Sequence, residues 1–290
     1  MRRTIETMCA VAILVGGVAL SGDAQSKPGK RKGGKGASGD PSALTPASLA
    51  ELTSDDPAVV RAGLDDARMA GPRGVAAVPR IVDLLRSGLP YGLAEAALDT
   101  LGDIELPDIE VLVPYASHRD ANVRRAAIHA LAKTTAPAGL PLAGATLRAA
   151  LSDVDPQVRA SAAVGLGSLK APAAVPDLFL ALDHHVYEAA ASIGELCTAI
   201  ECDALLGRLG RVPFDVITTG FDPILFRPAA DVSDDAKVAI IDKVRDVGTN
   251  EANKFLRGVQ GRWPKNGSLK VKRAIDAAVL ATLSSPGAGS

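Results

Sequence analysis

Aromatic side chains are scarce in this chain: five Phe, three Tyr and one Trp among 290 residues. Strands of sandwiches and barrels favour aromatic and β-branched residues, so a β-rich architecture is disfavoured from the start. Cysteine is scarcer still, and three in a chain of this length cannot build a disulfide scaffold. Neither sign of charge is in excess, with 32 basic against 33 acidic residues. No run of about 20 apolar residues, the length of a membrane-spanning helix, is present after residue 24. Alanine is what abounds, at 51 residues, and 47% of the chain is apolar. That is enough for a substantial core built from closely packed helices.

The first 24 residues read as an address. Arg2 and Arg3 precede an uncharged apolar run at residues 8–20, 13 residues long with two central glycines, and Ser21-Gly22-Asp23-Ala24 follows. A basic start, a short apolar run and small residues before a cut resemble a secretory signal peptide; cleavage is expected after Ala24, with Ser21 as the alternative. The competing reading is an N-terminal core helix. Cys9 lies inside the apolar run without a lipoprotein arrangement around it, and the usual twin-arginine pattern is missing around Arg2-Arg3. The expected location is therefore periplasmic or secreted. Residues 25–42 read as a flexible basic linker: Lys27, Lys30, Arg31, Lys32 and Lys35 sit among glycines with nothing apolar to bury. Gly29 to Lys35 has the spacing of a phosphate-binding loop, but Gly36 stands where Ser or Thr would hold Mg²⁺. Attraction to an anionic surface is the functional reading of these five cations, and a solvated linker is the plain one.

Internal repeats then decide the fold class. Three stretches superpose without gaps: Ser54-Asp-Asp-Pro-Ala-Val-Val-Arg61, Ser117-His-Arg-Asp-Ala-Asn-Val-Arg124 and Ser152-Asp-Val-Asp-Pro-Gln-Val-Arg159. Residues 87–94 keep the spacing and lose the Arg. The aligned positions 61, 94, 124 and 159 are 33, 30 and 35 residues apart, room for two helices and two turns. Each start runs into an Ala-rich stretch with apolar residues at helical spacing, and a second helix follows with Pro79, Pro141 or Pro176 in its first turn. One pair cannot bury its apolar face alone, so consecutive pairs must stack into an all-α solenoid of antiparallel helix pairs, about six to seven in number.

The stretch SDVDPQVRASAAVGLGSLKAPAAVPDLFLAL, residues 152–182, closely resembles a HEAT repeat of the short bacterial, PBS-lyase-like type. The resemblance covers about residues 43–206. A repeat-breaking insertion is expected at 207–232, HEAT-like helices at 233–283 with Lys237 and Arg273 at Arg-equivalent positions, and a disordered tail at 284–290. It implies structural roles for the turn Asp and the helix-start Arg. Asp56, Asp120 and Asp155 stand where a carboxylate accepts from free helix amides. Arg61, Arg124 and Arg159 would form a ladder bridging neighbouring turns.

Catalytic and metal constellations are lacking. His184-His185 and Cys197 flank one helix, and its length puts them about 16–18 Å apart, beyond shared coordination. The resemblance extends to deoxyhypusine hydroxylase, whose iron site uses His-Glu pairs, and to bilin lyases. None of His118, His129, His184 and His185 is followed by Glu. No cofactor is expected. Cys197 and Cys202 should end one helix and begin the next, so in an oxidising compartment a disulfide is expected, with two reduced core thiols as the alternative.

Charge is uneven along the chain. Residues 40–120 carry a net −8, whereas residues 253–275 hold Lys254, Arg257, Arg262, Lys265, Lys270, Lys272 and Arg273 and no acid. Residues 213–228 hold Phe214, Phe221 and Phe226, read as a cap that buries the rings or as an exposed ligand loop. Trp263, the only tryptophan, lies in a turn of the basic stretch, and Trp and Arg are enriched at interface hot spots. Arg257, Arg262, Trp263, Lys265, Lys270, Lys272 and Arg273 are thus the candidate contact surface for a protein of the cell envelope. Nucleic acid is not expected, because aromatics for base stacking are few and the chain after the linker is acidic overall. The leading expectation is an exported, non-catalytic interaction scaffold. An enzyme or accessory of the HEAT-like lyase or hydroxylase type is the alternative, and a binder of anionic envelope polymers is the third reading.

Overall fold

The computed structural model describes residues 44–104, 106 and 108–283. The expected signal peptide at 1–24, linker at 25–42 and tail at 284–290 lie outside the described residues. In chain order the helices are α1 (Pro46–Glu51), α2 (Pro57–Met69), α3 (Val78–Ser87), α4 (Tyr91–Asp103), α5 (Ala121–Ala132), α6 (Leu140–Ala150) and α7 (Pro156–Ser168). They continue with α8 (Val175–Asp183), α9 (Ala189–Leu196), α10 (Ala199–Leu206), α11 (Phe214–Phe226), α12 (Asp234–Val247), α13 (Asn250–Arg262) and α14 (Leu269–Leu283). Short 3-10 helices occupy Gly71–Ala77, Glu110–Ser117 and Pro172–Ala174, and there is no strand among the described residues. None of these helices is long and apolar enough to cross a membrane.

The repeat starts form as their local chemistry dictates. Asp56, Asp120 and Asp155 are the N-caps of α2, α5 and α7, accepting from Ala58 N (2.8 Å), Asn122 N (2.8 Å) and Gln157 N (2.8 Å). Two residues before each cap, another acceptor braces the turn: Ser54 Oγ, His118 Nδ1 and Asp153 Oδ1 each take the N–H of the capping residue. Pro57 and Pro156 occupy the first turn of their helices, where an absent N–H costs nothing.

These helices stack into a solenoid. α2, α4, α5, α7, α9 and α11 form one inner row, each packed on the next. The second elements of the pairs flank it. Close approach is possible because the contact positions are small. Ala67, Ala97, Ala127, Ala163 and Ala190 are fully buried at successive crossings. A Cβ on Gly102 would lie 2.7 Å from Ala130 Cα, and one on Gly194 only 2.0 Å from Gly220 O. Polar links hold the register: His129 Nε2 to Ser161 Oγ (3.0 Å), Ser192 Oγ to Ala163 O (2.8 Å) and Lys133 Nζ to Asp103 Oδ1 (2.6 Å). Each joins residues about one repeat apart.

The helix-start arginines differ from one another. Arg124 is buried; its Nε and Nη2 grip Asp153 of the next turn (2.8 and 2.7 Å), and its Nη1 donates to His118 O in its own turn (2.8 Å). Arg61 reaches forward to Gly92 O (3.3 Å). Arg159 donates only to its own turn, at Asp153 O (2.8 Å) and Val154 O (3.2 Å). The ladder is interrupted after Arg159, because Asp183, the acid of the following turn, is gripped instead by Arg208 from farther along the chain (2.9 and 2.8 Å). Lys237 is buried and donates to Arg227 O, while Arg273 is exposed.

Residues 207–232 are the segment expected as a repeat-breaking insertion. α11 lies in this segment and packs on α9 as closely as α5 does on α4, making it the sixth member of the inner row. Phe221 is fully buried, and Phe214 and Phe226 are half-buried against the core. The physical reason is the Gly194–Gly220 crossing, which lets the two backbones meet despite the bulky rings beside it. Beyond it α12, α13 and α14 pack on one another as a three-helix cluster.

Two expectations follow. Burial works against ionised Asp153, but hydrogen bonds from Arg124 and the Asp155 N–H, with Arg124's charge, outweigh it and hold its pKa below the usual value. A carboxylate with a depressed folded pKa stabilises the fold above its unfolded pKa of about 3.9, and that contribution is lost as pH falls through the lower folded value. Asp153→Asn should cost about 3 kcal/mol at neutral pH by leaving Arg124 buried and unpaired. Denaturant titrations should find the gap between variant and wild type closing below about pH 4; a gap independent of pH would refute the assignment. Gly220→Ala should cost about 2 kcal/mol through overpacking at the α9 crossing. Gly258→Ala, on α13 where an added Cβ meets nothing, should instead gain about 1 kcal/mol. Melting curves of the two variants read the contrast directly.

Candidate functional site

α11 and α13 touch only sparingly. The gap between them is an open groove of about 530 Å³ with a mostly apolar lining. Its floor is Phe214, Phe255 and Gly258, and the two rings are half-buried against the core. The Thr218 hydroxyl on the α11 wall is turned back onto its own helix, bonding Phe214 O (2.9 Å), so it offers no free donor. Asp215 and Glu251 line the groove with Lys254 and Arg262. Glycine at 258 opens the groove: any side chain there would project into free space.

Arg262 is the fixed part of the rim. Its guanidinium grips both Asp222 oxygens, lies 5.0 Å from the centre of the Phe226 ring, and its Nε donates to Gly258 O (3.2 Å). Hydrogen bonding to Asp222, opposed by desolvation, raises its pKa still further, so the charge is permanent. Trp263, a candidate contact residue, follows at once. The ring is half-buried, 5.6 Å from Phe226, and Gly267 folds back against the indole. A large apolar ring beside a partly covered phenylalanine gains more from packing than from solvent. Trp263 shapes the turn that carries the patch.

The basic residues separate into two sets. Lys270 and Lys272 are paired with Asp235 and Asp276, as Arg262 is with Asp222. Lys254, Arg257, Lys265 and Arg273 are exposed and form no ion pair among the described residues. Of this second set only Lys254 lines the groove, together with Asp215 and Glu251. Lys27, Lys30, Arg31, Lys32 and Lys35 lie outside the described residues.

Cys197 and Cys202 are joined by a disulfide, with Cα atoms 5.3 Å apart and both residues buried. Cys197 ends α9 and Cys202 lies in the first turn of α10. Arg227 Nη1 donates to Cys197 O (2.7 Å), tying this corner to the end of α11. Closing so small a loop contributes about 2 kcal/mol in the chain-entropy model. No group of three or more metal-ligating side chains is placed to hold an ion among the described residues.

Sequence reasoning missed the groove, since it depends on the spacing between two helices. The exposed Gly258 was its only local sign. Sequence reasoning also missed Asp153 as Arg124's partner, although an acid two residues before a capping Asp was visible.

Residues 78–148 match the family described as HEAT repeats. No curated protein matches the chain. Similar solved structures include the complex of CpcE and CpcF of phycocyanin lyase from Nostoc sp. PCC7120, 18% identical, covering 88% of this chain and 100% of that one at a TM-score of 0.43. A designed armadillo repeat protein in complex with the peptide (KR)4 is 14% identical, covering 82% and 98% at a TM-score of 0.34. An engineered protein is 16% identical, covering 83% and 68% at a TM-score of 0.39. The repeat match falls on α3 to α6 and includes Arg124, whose partner Asp153 lies just beyond it.

Proposed function

We propose that this chain is an exported, non-catalytic scaffold that docks a protein segment in the groove between α11 and α13. The groove carries this reading: an open, apolar-floored channel mounted on a stacked helical frame. Its lining charges are mixed, with Lys254 beside Asp215 and Glu251, while Arg257, Lys265 and Arg273 are exposed nearby in sequence. The complementary segment carries an apolar anchor for Phe214 and Phe255 and charged residues of both signs beside it.

Export is supported by two separate features, the short apolar run after Arg2-Arg3 and the buried Cys197–Cys202 bond, which a reducing cytosol would disfavour. The basic linker would then keep the solenoid near anionic surfaces of the envelope.

Selection of a displayed random-peptide library on the purified chain should enrich peptides with an aliphatic or aromatic anchor. Gly258→Glu should abolish their capture without lowering the melting temperature, because the new side chain enters the groove and not the core. Enrichment of peptides without an apolar anchor, or capture untouched by Gly258→Glu, would overturn the docking site. Export has its own check: cell fractionation and N-terminal sequencing should recover a mature chain in the envelope or medium that begins at Gln25 or Gly22. A cytoplasmic chain that keeps residues 1–24 would refute it.

A further inference from the structure

We propose that the cleft between the α8–α9 turn and the α10–α11 turn is a binding site for a carboxylate group. The cleft has a volume of about 470 Å³, within the range of small-ligand pockets, and is lined by Asp183, His185, Tyr187, Arg208 and Arg211 among others. Three of these residues come from the α8–α9 turn and two from the end of α10 and its turn.

Arg208 forms the rigid wall. Its Nε and Nη2 donate to the two Asp183 oxygens (2.9 and 2.8 Å), its Nη1 donates to Ala204 O (3.0 Å), and its guanidinium lies 4.3 Å from the centre of the Phe179 ring. Hydrogen bonds from Arg208 hold the Asp183 pKa below its usual value, so this pair is ionised and self-neutralising. That leaves one uncompensated charge in the cleft, Arg211, which is exposed and has no ion pair among the described residues.

Two polar rings accompany it. His185 sits in the left-handed region at φ 66, held there by the turn that ends α8, in which Val186 N donates to Ala181 O (2.9 Å). This backbone sets the His185 ring edge-on to Tyr187, with Nδ1 and Oη 3.3 Å apart. A planar guanidinium that lines one cleft with a phenol and an imidazole offers a carboxylate a bidentate partner and further hydrogen bonds.

The carboxylate could belong to a free small acid or to the C-terminus of a peptide, and titrations followed by NMR separate these sources. The probes are sodium acetate, a short peptide with a free C-terminus, its amidated twin, inorganic phosphate and sodium chloride, at constant ionic strength. Acetate should give saturable shifts at residues around the cleft, and Arg211→Gln should weaken it at least about tenfold with an unchanged melting temperature. Tyr187→Phe should weaken it less. Tighter binding of the free-ended peptide than of acetate, lost on amidation, assigns the site to peptide termini; equal behaviour of the two peptides assigns it to small acids. Chloride reproducing the shifts, phosphate binding more tightly than acetate, or Arg211→Gln without effect would each overturn the proposal. Arg211 lies outside the α11–α13 groove, so failure here leaves the docking reading standing.

Discussion

Close approach of helix backbones is the constraint on which this solenoid depends. Six helices stand in one row, and each meets the next through alanine or glycine. Because these side chains are short, the stack leaves little tolerance for a misplaced methyl group. Larger side chains are confined to the layers between the rows, where Leu64, Leu98, Leu131 and Leu166 are fully buried. The alanine richness and the scarcity of rings are thus two sides of one packing solution. Aromatic bulk is admitted mainly where the regular row gives way to the terminal cluster, around α11 and the turn after α13.

Polar chemistry supplies what close packing alone cannot, namely a unique register. Apolar layers of similar volume could slide past one another at modest cost. Arg124 prevents this by holding two turns at once, its own through a carbonyl and the next through both oxygens of Asp153. The Asp153 turn is held from its other side by Arg159. One turn therefore anchors two consecutive repeats, and the charges involved are buried with their bonding capacity largely met. The exposed pairs elsewhere, such as Arg148 with Asp177, contribute less because water screens them.

What could be read in the sequence was what is local. An Asp before a helix start, a proline in the first turn and a small residue every third or fourth position act within a few residues, so spacing reveals them. Asp56, Asp120 and Asp155 were legible for that reason. Interactions that join distant segments were not. Arg208 reaches back 25 residues to Asp183, and no repeat alignment places it there. Trp263 was legible as a lone tryptophan among cations, but its packing beside Phe226 emerges only in the fold. The groove depends on how far α13 stands from α11, a distance written in no single stretch of chain.

The disulfide has a consequence for how such a stack comes apart. A solenoid frays from its ends, one repeat at a time, because each repeat is held only by its neighbours. A bond between distant segments would clamp many repeats together, whereas Cys197 and Cys202 are five residues apart and close only the corner between α9 and α10. The bond therefore works as a bulkhead. Melting that begins at α1 and moves down the row must stop or slow where the chain is covalently folded back on itself. Below that corner lie the α10–α11 turn, α11 and the terminal cluster, the parts that carry the groove and one wall of the cleft.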